Sequence, residues 1–188
     1  MAERTAARKP SGTPAIRFEA QLRTIGGSTV VRLPDDASAK LPSRGQVAVE
    51  AVMNGHAFQT VLEPDGRRGH WLRVDRGLRQ ALAVHEGDTV ALKVEPAKDW
   101  PEPDIPEDFQ AALADAPDIC ELWKSITPMA RWEWVRWINS TRNRQTRERR
   151  VEVAISKLRS RKRRPCCFDL AACTDPDLSK NGVLVEVP

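Results

Sequence analysis

Apolar and polar residues alternate along the first half of the chain, starting at Ile16. Ile16, Phe18, Ala20 and Leu22 fall on one side of an extended segment, and charged or polar residues separate them. A period of two is typical of a half-buried β-strand. Further short apolar runs follow, bounded by glycine, proline, asparagine or aspartate, which favour turns. The pattern predicts additional strands at 29–33, 46–53, 56–63, 69–75 and 89–95.

The pair Asn54-Gly55 lies between two of these apolar runs and is a strong hairpin signal. Leu78, Ala81 and Leu82 instead have helical spacing, and they predict one short helix before the last strand. Sheets of many short strands commonly remove their free edges by closing into a barrel. Residues 15–96 are therefore predicted to form a small closed β-barrel with the helix at one end. Residues 1–14 have no apolar period and are predicted to be a disordered tail.

Four prolines lie among the eleven residues 96–106, where neither a helix nor a central strand can continue. Residues 97–106 are therefore predicted to be a proline-rich linker between two domains. Beyond the linker, apolar residues recur at helical spacing, as at Phe109, Ala112 and Leu113. Residues 107–164 are predicted to be a small helical domain, so the fold class is α+β, a small closed barrel followed by helices.

Helix starts and ends can also be predicted in the second half. Thr127 is predicted to be the N-cap of a helix whose first residue is Pro128, and Thr146 is predicted to cap the next helix. Pro165 ends the helical part. The C-terminal tail, 165–188, contains the sequence VLVEV at 183–187, which predicts one more strand.

Composition places the chain among soluble globular proteins, because 40% of its 188 residues are hydrophobic and 30% are charged. No apolar run approaches the roughly 20 residues that a membrane-spanning helix needs. The first residues also lack the apolar core of a signal peptide. We therefore expect a cytoplasmic protein without membrane insertion.

Positive charge is concentrated in residues 142–164, which hold 11 Lys or Arg against two acids and leave the rest of the chain at −5. Such a stretch can attract phosphate, so one interpretation is nucleic-acid binding, with Arg144, Arg147, Arg149 and Arg150 as the candidate phosphate contacts. The alternative is internal pairing, because 95–121 holds nine acids against one lysine. We favour internal pairing.

Large aromatic residues beside arginines suggest a ligand pocket, and a junction between two domains is a favoured place for one. The tryptophans of 123–137 have a simpler interpretation as core, since Trp134 and Trp137 share a helical face with Ile138. Trp132 lies on another side of that helix. The candidate ligand-binding residues are Arg44, Trp71, Arg73, Trp132 and Arg136.

Candidate chemistry elsewhere is sparse. Cys166, Cys167 and Cys173 are candidate reactive thiols because four basic residues precede them, although inert cysteines are the favoured interpretation. Their spacing does not fit a metal site, so no metal and no cofactor is predicted. His56 and His85, together with His70, lie near predicted turns or strand ends and are expected at the surface. No catalytic motif occurs, and no catalytic residue is proposed.

Residues 125–158 resemble the YdeI/OmpD-associated, or bacteriocin-protection, family. The resemblance is carried by Trp137-Ile138 and by Thr146-Arg147-Glu148-Arg149-Arg150, which opens the last helix. The first half resembles the small β-barrel of unknown function that often precedes this helical module. The sequences FEAQL at 18–22, WLRV at 71–74 and GDTVAL at 87–92 carry that likeness. In architecture the barrel is similar to double-split barrels such as those of AbrB-like regulators, although one chain supplies all the strands here.

The resemblance covers about residues 15–165 and implies fold more than chemistry. It implies a non-enzymatic binding or protective protein, associated with stress, that sequesters a small molecule or a peptide. Nucleic-acid binding through the basic helix is the alternative function. A thiol-based redox or metal role of the cysteine-containing tail ranks below both.

Overall fold

A computed structural model describes residues 14–165 and 174–186. Six antiparallel strands close into a barrel in the order β1-β2-β5-β4-β3-β6, and helices follow it in the chain. This arrangement confirms the predicted fold class. The strands are β1 (Ile16–Ile25), β2 (Ser28–Arg32), β3 (Val47–Met53), β4 (His56–Pro64), β5 (His70–Arg73) and β6 (Thr89–Pro96).

Successive residues of each strand point alternately into the barrel and towards its outer face. Val31 pairs with Leu72 across β2 and β5, and both are fully buried in the barrel core. The β3–β4 hairpin turns at Asn54-Gly55, where both residues have positive φ, of 48° and 87°. Glycine and asparagine adopt this backbone at low cost, so the predicted hairpin forms.

Two short helices, not one, accompany the barrel. The predicted one is α2 (Arg76–Leu82), capped by Asp75, whose carboxylate accepts a hydrogen bond from the Leu78 backbone N–H at 2.8 Å. The other, α1 (Asp35–Ala39), has only five residues. A single turn is too short to show a helical period, which is why the sequence pattern missed it.

Buried His70 contradicts the prediction that all three histidines lie at the surface. Its ring is fully buried, with Nδ1 2.8 Å from Ser38 Oγ and Nε2 2.9 Å from the Gly45 carbonyl oxygen. Burial is the largest influence on the ring and lowers its pKa. The two polar partners lie on α1 and a loop, so nothing near His70 in the sequence indicated them. His56 and His85 are exposed, as expected.

The helical region contains α3 (Glu107–Ala114), α4 (Cys120–Ser125), α5 (Pro128–Asn139) and α6 (Arg144–Arg159). Thr127 caps α5 as predicted, accepting a hydrogen bond from the Ala130 N–H at 3.3 Å. The predicted cap at Thr146 is wrong, because Asn143 caps α6 and Thr146 supplies the backbone N–H that it accepts. The largest fully buried side chains of this core are Phe109, Trp134, Ile126, Ile138 and Leu158.

Residues 174–186 form a C-terminal segment that lies against the outer face of the barrel. Two short strands pair there, β7 (Ser179–Lys180) and β8 (Val183–Leu184), so the predicted extra strand exists but spans two residues. Leu178 and Leu184 pack on Ile25, Val30 and Trp71, outside the barrel core. The Leu184 N–H also donates to the Asp65 carbonyl oxygen at 3.0 Å. The segment therefore covers part of the barrel wall.

Candidate functional site: a cleft between the barrel and helix α5

A cleft of about 240 Å³ lies where the outer face of β4 and β5 meets α5. The linker closes one side with Pro103 and Asp104, and the C-terminal segment closes another with Asp175. Its walls therefore come from both halves of the chain. The space is larger than the roughly 150 Å³ apolar cavity that accepts benzene, and smaller than the roughly 300–1,000 Å³ of drug-sized sites.

Strand and helix periodicity place the side chains that line this cleft. Glu63 on β4 is the register partner of Trp71 on β5, and Arg73 follows two residues later on the same face. On α5 the lining residues are three, four and seven positions apart, which is one face of a helix. They are Trp132, Val135, Arg136 and Asn139.

Arg136 and Glu63 form a buried ion pair across the cleft, with Arg136 Nη2 2.6 Å from Glu63 Oε2. Their side chains are only 7% and 12% exposed. Nη2 and Oε2 are therefore each other's partner, whereas the buried Arg136 Nη1 makes no hydrogen bond within residues 14–165 and 174–186. The other carboxylate oxygen, Glu63 Oε1, accepts from Gln46 Nε2 at 2.9 Å. The pair therefore keeps one buried donor nitrogen, Arg136 Nη1, that the described chain does not satisfy.

Burial is also the largest influence on the Glu63 carboxyl group. It raises the pKa of Glu63, although the nearby Arg136 guanidinium opposes that rise. Buried polar groups without partners cost free energy, about 1–3 kcal/mol each and more when charged. Such groups in a folded protein call for an explanation, and a bound ligand is one.

Hydrogen bonds fix the two tryptophans of the cleft. Trp132 Nε1 donates to the Pro101 carbonyl oxygen at 2.7 Å, which ties α5 to the linker and leaves the ring partly exposed. Trp71 Nε1 donates to the Pro64 carbonyl oxygen at 3.2 Å, and the residue is 3% exposed. Arg73 pairs with Asp175 at 2.8 Å. The walls are thus held in place before any ligand binds.

Two family models match the chain. Residues 18–94 match a domain of unknown function, DUF1905, and residues 102–161 match the family described as bacteriocin-protection, YdeI or OmpD-associated (OmdA). Each model covers less than half of the chain, the first the barrel and the second the helical region. No curated protein matches it. The order and the identity of the two matches confirm the resemblance inferred from the sequence, and the cleft lies between the DUF1905 barrel and the OmdA module.

Four of the five predicted ligand-binding residues line this cleft, namely Trp71, Arg73, Trp132 and Arg136. Arg44 does not, since it is exposed on a loop and donates to the Arg68 carbonyl oxygen at 3.0 Å. The prediction omitted Glu63 and Asp104. Glu63 occupies an outward position of β4, and only the docking of α5 shows that it is buried.

The arginines of α6 are largely paired within the protein. Arg147 donates to Asp108 at 2.6 and 2.9 Å, and this hydrogen bonding lowers the pKa of Asp108. Arg150 donates to the Trp137 carbonyl oxygen and to Ser140 Oγ, both at 2.6 Å. Arg144 and Arg149 form exposed pairs with Glu148 and Glu152 on their own helix, at 2.9 and 3.3 Å. Acidic residues of 95–121 thus reach the basic helix at Asp108, and also at Asp118, which pairs with Arg159.

Cys166, Cys167 and Cys173, the candidate reactive thiols, lie outside the residues that the structure describes. Within the described ranges, Cys120 is a free, partly exposed cysteine at the start of α4. No group of three or more His, Cys, Asp or Glu with the placement of a metal site occurs in those ranges. The helices they contain are also too short or too polar to cross a membrane.

Proposed function

We propose that the protein is a non-enzymatic binding protein that holds a small molecule in the cleft between the DUF1905 barrel and the OmdA module. The observation that carries this proposal is the Arg136–Glu63 pair. Both side chains face the cleft and are nearly buried, and Arg136 Nη1 keeps a donor that residues 14–165 and 174–186 leave unsatisfied. A ligand that accepts a hydrogen bond from this nitrogen removes a free-energy cost of the folded protein.

Sequestration fits this geometry better than catalysis. The walls of the cleft are held by hydrogen bonds, and the described residues that line it include no nucleophile–base pair. Its volume of about 240 Å³ suits a small molecule better than a peptide of several residues. The bacteriocin-protection description of the matching family is compatible with a protective protein that withdraws a ligand from solution. We place this role in the cytoplasm, as the sequence led us to expect.

A thermal denaturation screen against a library of small polar metabolites tests the proposal. Compounds that raise the melting temperature of the wild type are tested again on Arg136→Lys, which shortens the donor in the cleft. Arg144→Lys is the matched control, because Arg144 is 92% exposed on α6. We expect the shift to persist in Arg144→Lys and to disappear in Arg136→Lys. Equal shifts in both variants, or no compound that acts on the wild type, would contradict binding in the cleft.

A further inference from the structure

Within the described residues, the cleft offers an unsatisfied donor, Arg136 Nη1, and an unpaired carboxylate, Asp104, and together they narrow the class of ligand to one that carries both charges. We infer that the cleft binds a zwitterion of the α-amino-acid type with an apolar side chain. This inference rests on the proposed function, since it names what the same cleft would hold. It follows from the charges, the unsatisfied atoms and the apolar walls of the cleft.

The carboxylate of such a ligand has a donor in Arg136. Its Nη1 donates to no residue of the described chain, and it belongs to a side chain that is 7% exposed. A charged N–H···O bond from guanidinium to a carboxylate is short and roughly twice as strong as a neutral one. Arg73 adds a second positive charge on the facing wall, although Asp175 already neutralises it.

The ammonium group has one free acceptor, and a second carboxylate lies close by. Glu63 is buried in its ion pair with Arg136 and adds negative charge to the cleft. Asp104, at the linker edge of the cleft, has no ion-pair or hydrogen-bond partner within the described ranges. Among the described residues that line the cleft, the charged ones are two arginines and three acids, so their formal sum is −1. A ligand with only negative charge fits this balance poorly, whereas a zwitterion satisfies both signs.

The apolar surface and the volume of the cleft determine which side chain the ligand can have. Val61, Pro103, Val135 and the partly exposed ring of Trp132 provide apolar contact beside the charged pair. The volume of about 240 Å³ leaves room for one amino-acid side chain next to its head group. The walls therefore favour an aliphatic or aromatic amino acid over a glycine-like one.

Nuclear magnetic resonance of the six tryptophan indoles tests this class, because Trp71 and Trp132 line the cleft whereas Trp100 and Trp123 do not. The probe is L-phenylalanine, and each indole signal is assigned with a Trp→Phe variant. Three analogues separate the charges: phenylethylamine lacks the carboxylate, 3-phenylpropanoate lacks the ammonium group, and L-phenylalaninamide replaces the carboxylate with an amide. We expect L-phenylalanine to shift the Trp132 signal and to bind at least tenfold more tightly than each analogue.

Substitutions locate the two charged contacts. Asp104→Asn removes the negative charge at the edge, and Asp99→Asn is its matched control on the same linker with the same change of charge. We expect L-phenylalanine to bind at least fivefold more weakly to Asp104→Asn and to Arg136→Lys, with no change for Asp99→Asn. Tighter binding of any analogue, or no binding of L-phenylalanine, would overturn the zwitterion class. The cleft itself would still stand if other compounds from the metabolite screen required Arg136.

Discussion

The proposed ligand site depends on a few single residues, and Arg136 shows how much of that site the sequence predicts. Its place on one face of α5 with Trp132 follows from helical spacing, and both residues are among the ligand contacts predicted from aromatic residues beside arginines. Its partner Glu63 lies 73 positions earlier and alternates with apolar residues as any outward strand residue does. Only the packing of α5 on β4 buries it. The sequence therefore predicts one half of the ion pair, and the tertiary structure supplies the other.

His70 predicts a pH dependence of stability at the residue scale. Burial lowers its pKa in the folded protein, so the unfolded chain takes up a proton first, near the ordinary value of about 6.5. The contribution of the neutral ring to stability is complete above that pH and is lost as the pH falls below it. Asp65 and Arg44 also act on the ring, in opposite directions.

Chemical denaturation at several pH values between 5 and 8 measures this dependence. We expect the free energy of unfolding to fall towards the acid end in the wild type and in His56→Gln, whose histidine is exposed. His70→Gln is expected to be less stable at pH 8 and to lose much of the slope. An unchanged slope in His70→Gln would show that other groups cause it.

Trp134 and Trp137 are predicted to differ in their contribution to stability. Trp134 is fully buried and donates through Nε1 to the Arg163 carbonyl oxygen at 3.1 Å. Trp137 is partly exposed, so the expectation that it is an ordinary core residue needs correction. Its ring meets Trp134 edge-on and lies beneath Arg150 and Lys157.

Trp134→Ala is therefore expected to cost about 3–5 kcal/mol of unfolding free energy, as large cavities in cores do. Trp137→Ala is expected to cost about 1–2 kcal/mol, because it loses an aromatic contact and cation–π contacts near the surface. Denaturant unfolding followed by circular dichroism measures both. Equal costs would contradict the burial described for the two rings.

The sequence predicts turns and helix starts well where adjacent residues determine them, and it predicts them poorly where distant contacts do. Asn54-Gly55 and Thr127-Pro128 predict a hairpin and a helix start, since the turn and the cap depend on adjacent residues. The cap of α6 was misassigned because Asn143 and Thr146 both suit an N-cap, and the sequence alone does not choose between them. The course of the C-terminal segment depends on distant contacts with β2 and β5, which no local pattern contains.

The C-terminal segment is predicted to stabilise the barrel through Leu178. This residue is fully buried against the outer wall with Val30 and Trp71. Leu178→Ala is expected to lower the free energy of unfolding by about 2–5 kcal/mol, the range for buried leucine. Val185→Ala is the matched control, since Val185 is 40% exposed, and surface changes of this kind stay within about 0.5 kcal/mol. If Leu178→Ala lowers the free energy of unfolding only slightly, measured by thermal and denaturant unfolding, the barrel is stable without the C-terminal segment.

At the scale of the whole molecule, acidic residues of 95–121 form ion pairs with arginines of α6. Asp108 and Asp118 pair with Arg147 and Arg159 and reduce the positive charge that α6 presents to solvent. This pairing makes nucleic-acid binding a weaker interpretation than the local excess of +9 in residues 142–164 suggests. The sequence showed both clusters, and the fold shows that they touch.

The double variant Asp108→Asn/Asp118→Asn is predicted to bind DNA more tightly than the wild type, because it frees two arginines on α6. Asp99→Asn/Asp115→Asn carries the same change of charge without contact to α6 and is the matched control. Fluorescence anisotropy with a short duplex at about 50 and 200 mM salt measures the difference, and phosphate binding weakens steeply over that interval. Tight, strongly salt-dependent binding by the wild type would instead favour nucleic acid as its partner.

We predict that the Arg136–Glu63 pair contributes more to ligand binding than to folding stability, and the double variant Glu63→Gln/Arg136→Met separates the two contributions. Replacing both members of a buried ion pair with neutral groups of similar size is often neutral or stabilising, by about 1–4 kcal/mol. The glutamine also keeps an acceptor for Gln46, which bonds Glu63 in the wild type.

The deciding measurement is calorimetric titration of this folded double variant with compounds that bind the wild type, beside its denaturant unfolding. We predict unfolding free energy equal to or above that of the wild type, together with loss of ligand binding. Retained binding, or a large loss of stability, would show that the pair is a structural contact and that the ligand, if any, binds elsewhere.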